Sequence, residues 1–87
     1  MKVQRRPVDD LLTRDGETAV LAHGKALRLS AVAVAIYELT EHEIEVESLA
    51  EALESQVGAP ADRSTLEATE AAVAMMVRRG ILTRSSR

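Results

Sequence analysis

Two dipeptides suited to tight turns, Asp15-Gly16 and His23-Gly24, punctuate the first third of this chain at short spacing. Glycine adopts positive φ at no steric cost, so each dipeptide reads as a two-residue hairpin loop. The segments they separate are short, and each carries apolar residues: Asp10–Arg14, Thr18–Ala22 and Lys25–Leu29. Strands joined this tightly run antiparallel, so the spacing predicts a three-stranded meander. In the last of them Leu27 and Leu29 share one face and Arg28 takes the other. That strand ends the meander and is expected to be an edge, with backbone donors and acceptors left open. Ahead of the meander, residues 1–7 read as a flexible arm. Pro7, which lacks an amide hydrogen, stands just before the first strand.

Past Leu29 the periodicity changes. Ser30 is placed to cap a helix over about 31–41, with Val32, Ala35, Ile36 and Leu39 as its buried stripe. The polar link Glu41-His42-Glu43 leads to a second helix over Val46–Val57. There Val46, Leu49, Ala50, Leu53 and Val57 form one continuous face, and Gly58 ends it. Ser64 and Glu67 have the spacing of a capping box and open a third helix that runs to about Arg79, where Gly80 stops it. Arg78 and Arg79 suit the negative end of its dipole. Leu66, Val73, Met76 and Val77 are its expected core residues. About half a turn round, Ala68, Ala71, Ala72 and Met75 make a second apolar strip, which either packs on another helix or forms a shallow groove. Ile81-Leu82 is expected to fold back onto the core, and residues 83–87 to be a tail. The expected fold is therefore α+β: an N-terminal three-stranded antiparallel sheet followed by three helices, in one domain over 8–82.

Composition narrows the function. With 87 residues and 9.4 kDa there is room for one small domain and none for separate catalytic and substrate domains. Tyr37 is the sole aromatic residue, which excludes an RNA platform of stacked rings. Without cysteine there is no disulfide, no thiol nucleophile and no Cys-based zinc or iron–sulfur site. His23 and His42 lack a second His at ligand spacing, and Glu38–His42 reads as a surface pair, so no metal site or cofactor is expected. No serine sits in a nucleophile elbow and no glycine-rich phosphate loop is present, so the chain is expected not to be an enzyme. The longest apolar run, Ala31–Tyr37, is far short of the roughly 20 residues a membrane span needs. Pro7-Val8-Asp9-Asp10 also breaks any signal-peptide pattern after the early basic residues, so a soluble cytoplasmic protein is expected.

Charge is segregated. Residues 1–28 hold six Lys/Arg against four Asp/Glu, 29–70 hold one against ten, and 71–87 hold four Arg and no acid. An acidic middle with basic ends disfavours general nucleic-acid binding and allows a basic patch only if the ends meet in the fold.

The order of elements, together with Ala26-Leu27-Arg28-Leu29-Ser30, Ala35-Ile36-Tyr37-Glu38-Leu39, Val46–Leu53 and Met75-Met76-Val77-Arg78-Arg79-Gly80-Ile81-Leu82, resembles the PqqD-like family. Its members are also known as RiPP recognition elements, and they resemble winged helix-turn-helix domains. The resemblance covers about Val8 to Leu82. The chain departs from the family pattern in its near lack of aromatics and its alanine-rich helices. The resemblance implies a non-catalytic protein that binds the leader of a ribosomally made precursor peptide and presents it to a modifying enzyme such as a radical SAM enzyme, cyclase or peptidase. It further implies that the leader adds as a strand beside the third strand and lies against the third helix. Carried onto this sequence, the peptide-binding residues are Lys25, Ala26, Leu27, Arg28 and Leu29 on the strand, and Ala68, Ala71, Ala72, Met75, Arg78 and Arg79 on the helix. Lys25, Arg28, Arg78 and Arg79 would form a basic rim attracting an acidic leader.

Two other readings stand beside it. A winged-helix DNA-binding regulator fits the helical trio, but the strands come first, and the third helix opens on Glu67 and Glu70 where groove contacts belong. A homodimerising structural adaptor would pair its edge strand or its second apolar strip across a two-fold axis.

Overall fold

Both glycine turns close as the sequence requires. Asp15 and His23 stand at φ 53° and 54°, followed by Gly16 at 80° and Gly24 at 74°, the successive positive φ values of a type I′ hairpin turn. The computed structural model describes residues 1–85. In it the meander consists of β2 (Asp10–Arg14), β3 (Glu17–Ala22) and β4 (Lys25–Leu29). These three strands are antiparallel, with β3 in the centre and β2 and β4 at the edges.

A second antiparallel sheet holds β1 (Lys2–Arg5) between β5 (Ile44–Glu45) and β6 (Leu82–Ser85). The reading of residues 1–7 as a flexible arm is corrected here. Val3 is 1% exposed and sits opposite Ile44 on one side and Arg84 on the other. The reading of 83–87 as a tail is corrected too, because Thr83, Arg84 and Ser85 are in β6; residues 86 and 87 lie outside the described residues. The single expected sheet is thus two. The physical reason is that β1 and β6 pair across nearly the whole length of the chain. No local turn announces such pairing, and a short strand flanked by charge has no local preference strong enough to reveal it.

The helices are α1 (Ala31–Leu39), α2 (Val46–Val57) and α3 (Thr65–Arg78). Ser30 caps α1, its Oγ accepting the Ala33 amide at 3.1 Å. α1 ends before the expected Glu41. Thr40 is fully buried there, and its hydroxyl donates to the carbonyls of Ile36 at 2.8 Å and Tyr37 at 3.2 Å. Of its expected stripe, Ala35 and Ile36 are buried and Leu39 packs against the core, but Val32 is exposed and Ala33 is buried in its place. Alanines on the buried side let the helix sit close to its neighbours, and the branched Val32 turns out. On α2, Val46, Leu49, Ala50 and Leu53 are buried as expected, while Val57 and, on α3, Leu66 stay exposed. Ser64 caps α3 by accepting the Glu67 amide at 3.1 Å, and its hydroxyl donates to Glu67 Oε1 at 3.0 Å. None of the helices among the described residues is long and apolar enough to cross a membrane.

One core joins these elements. Val3, Val20, Leu29, Ile36, Leu49, Leu53, Val73, Met76, Ile81 and Leu82 are all at most 5% exposed and pack as one cluster. Because β1 contributes to that cluster, Val3→Ala is expected to cost about 2 kcal/mol in urea denaturation, and deleting residues 1–5 is expected to abolish a cooperative melt. An unchanged melting temperature after the deletion would restore the loose arm.

Candidate peptide-binding cleft

α3 ends in a turn that the sequence dictates. Gly80 stands at φ 76°, its amide donates to the Val77 carbonyl at 3.0 Å, and the Ile81 amide donates to that of Met76 at 2.9 Å. These two bonds define a Schellman motif, whose usual apolar contact between the flanking residues is supplied by Met76 and Ile81, both buried. The turn reverses the chain into β6, and the Arg6 amide donates to the Ile81 carbonyl at 2.8 Å.

The tip of the β3–β4 hairpin rests on this turn. His23 Nε2 lies 3.4 Å from the Gly80 carbonyl oxygen. A β-carbon at Gly80 would lie 2.6 Å from the same nitrogen, so a side chain there would push the His23 ring aside, and the positive φ itself favours glycine. Between hairpin and turn lies a cleft of about 540 Å³. Its apolar lining is Val20, Ala22, Ala26, Leu27, Val77 and Ile81, and its cations are Arg6, Lys25, Arg78 and Arg79. None of these four cations has an ion-pair partner among the described residues. By contrast the N-terminal amine, Lys2 and Arg5 lie within 4.0 Å of Glu45, Glu43 and Glu41 respectively. Arg5 also sits 4.8 Å over the Tyr37 ring. The acidic link thus occupies the charges of β1 and leaves Arg6 to the cleft.

β4 forms one wall of the cleft, and its outer edge is open. The two-residue turn makes Ala22–Lys25 the closing hydrogen-bonded pair. Alternation then gives Val20–Leu27 and Thr18–Leu29 the remaining bonds to β3. Ala26 and Arg28 therefore direct their amides and carbonyls to the free edge.

Of the site residues expected from sequence, the structure brings together Lys25, Ala26, Leu27, Arg78 and Arg79. Arg28 is exposed on the outer face, with Glu17 at 3.7 Å. Leu29 is 5% exposed and belongs to the core. The alanine strip does not line this cleft. Ala68 faces a separate hollow of about 190 Å³ with Val32, Leu53 and Val57, Ala71 is exposed, and Ala72 and Met75 pack against the core. Core packing takes Ala72 and Met75, while Ala68 and Ala71 lie away from the hairpin, which leaves only the last turn of α3 for the cleft. Arg6, Val20, Ala22, His23, Val77, Gly80 and Ile81 also line the cleft and are not among the expected site residues. The cross-strand register reveals Val20 and Ala22 once Leu27 and Lys25 are chosen; Arg6 has no local signal, because β1 pairing places it.

Another hollow, about 450 Å³, lies between α2 and the start of α3 and is bordered by Glu47, Glu51, Glu54 and Arg63. Among the described residues no three His, Asp or Glu side chains gather as a metal-ligating group. Comparison with protein-family models, with curated proteins and with solved structures returns no match.

Gly80→Ala is expected to lower stability by about 1–2 kcal/mol, through left-handed backbone strain and the clash with His23. In a His23→Ala background the clash disappears, and the penalty of the same substitution is expected to shrink. Strictly additive penalties in urea denaturation would mean that the hairpin tip does not rest on the turn.

Proposed function

We propose that this protein is a non-catalytic, cytoplasmic peptide-binding module. On this reading it captures the leader of a ribosomally made precursor peptide and presents it to a modifying enzyme, with α1–α3 and the hairpin in a winged helix-turn-helix-like arrangement. The observation that carries the reading is an open strand edge beside a cleft with an apolar floor and four cations unpaired among the described residues. An extended peptide laid along β4 satisfies the outward groups of Ala26 and Arg28 whatever its sequence. Its inward side chains reach the half-buried Leu27 and Val77, beneath which lie the buried Val20 and Ile81. Its carboxylates meet Arg6, Lys25, Arg78 and Arg79, which raises the encounter rate and favours acidic leaders. The resemblance to PqqD-like domains supports the same reading.

The alanine strip drops out of the contact surface in this account. Selectivity rests on the last turn of α3 and on the hairpin tip. The DNA-binding alternative is weakened by the start of α3, where Glu67 and Glu70 are exposed and where Thr65 and Leu66 line a hollow bordered by Glu47, Glu51 and Glu54.

Ala26→Pro removes an amide that points away from β3, so the fold is expected to survive. Binding of leader peptides from short precursors encoded beside the gene is expected to weaken about tenfold, the worth of one hydrogen bond. Arg78→Glu with Arg79→Glu is expected to weaken it further and to flatten its dependence on salt. Fluorescence anisotropy reads both. Unchanged affinity in the folded Ala26→Pro variant would exclude strand addition at β4.

A further inference from the structure

The opposite edge of the meander carries a different message. All five residues of β2 are exposed, and Leu12, at 62%, is the most exposed of the large apolar residues described. Open strands with apolar residues are ordinarily blunted or covered. The Asp15-Gly16 turn closes on Arg14–Glu17, so alternation also gives Leu12–Ala19 its bonds to β3. Leu11 and Thr13 then direct their amides and carbonyls outward. The Leu11 amide agrees with this phase, since it donates to the Asp10 side-chain Oδ1 at 2.8 Å instead of to β3.

The strand reads Asp10-Leu11-Leu12-Thr13-Arg14. Laid antiparallel to itself about Leu12, it puts Asp10 opposite Arg14 at both ends. Neither residue has an ion-pair partner within the chain among the described residues. We propose that β2 pairs with β2 of a second copy of this chain across a two-fold axis through Leu12. Leu11 of one copy and Thr13 of the other exchange both backbone hydrogen bonds, and the axis repeats the pair. Leu12 meets Leu12 at a non-hydrogen-bonded position, where side chains approach most closely. Asp10, Leu12 and Arg14 share one face of the sheet, so the apolar contact lies between two ion pairs. The Leu11 amide exchanges the Asp10 carboxylate for a Thr13 carbonyl, which frees Asp10 to face Arg14. Such an interface is isologous and closed. It makes one continuous sheet with a β4 edge at each outer end, so both peptide-binding edges stay open.

The test is molar mass by light scattering and sedimentation over a concentration series of the full chain, with circular dichroism checking each variant's fold. The wild type is expected to rise from 9.4 kDa towards twice that mass, and Leu12→Lys to remain at the lower value. Asp10→Arg and Arg14→Asp are each expected to weaken association about tenfold, since each sets like charges opposite one another twice. The double variant is expected to restore it to within about threefold. A wild type that stays monomeric at millimolar concentration overturns the proposal. So does a folded Leu12→Lys variant that still dimerises, or a folded double variant that fails to recover. Because β4 is not part of this interface, leader-peptide affinity measured on Leu12→Lys reports separately on the peptide-binding reading.

Discussion

The position of β1 between β5 and β6 is the constraint on which the rest depends. It ties the start of the chain to its last described residues and to the link between α1 and α2. Three consequences follow from that one pairing. Val3 is driven into the core, where burying a valine contributes about 1.5–3 kcal/mol. The amides of Arg5 and Arg6 are fixed to the carbonyls of Thr40 and Ile81, each at 2.8 Å. The acidic link of residues 41–45 is brought against the basic strand, where its glutamates meet the N-terminal amine, Lys2 and Arg5. Exposed ion pairs of this kind contribute little to stability; their effect is on where positive charge is left over.

What is left over collects at one place. Arg6 emerges from β1 beside the Schellman turn that ends α3, and that turn carries Arg78 and Arg79. The hairpin tip, resting on Gly80 through His23, adds Lys25. A chain with formal charge −3 thereby presents a local cationic cleft, while α2 and the start of α3 present the acids. Such a field discriminates by sign at the cleft even though the whole protein is acidic.

Local structure was legible in the sequence to the extent that local chemistry determines it. The turns at Asp15-Gly16 and His23-Gly24, the Ser30 and Ser64 caps, the glycine stop at Gly80 and the buried face of α2 from Val46 to Leu53 all follow from a few neighbouring residues, and they stand where expected. On α1, Ala35, Ile36 and Leu39 face the core as expected, but alanine carries too weak a hydrophobic signal to rank Ala33 above Val32. The second sheet does not follow, since the pairing of Lys2–Arg5 with Leu82–Ser85 is decided by tertiary packing. The candidate site divides along the same line. Lys25, Ala26, Leu27, Arg78 and Arg79 come from locally determined elements and meet in the cleft. The alanine strip was indistinguishable from core by periodicity alone, and packing assigned half of it there, Ala72 and Met75. Arg6 entered the cleft only through the long-range pairing.

The proposed function requires that the open edge of β4 and the basic end of α3 together bind an extended peptide. Amide hydrogen exchange by NMR, with and without a saturating leader peptide, tests it residue by residue. On the proposed function the Ala26 and Arg28 amides, directed away from β3 in the free protein, become protected on binding, and chemical-shift changes concentrate at Lys25–Leu27 and Val77–Ile81. Saturable binding that leaves Ala26 and Arg28 exchanging freely, or that shifts the α2 amides instead, would contradict it.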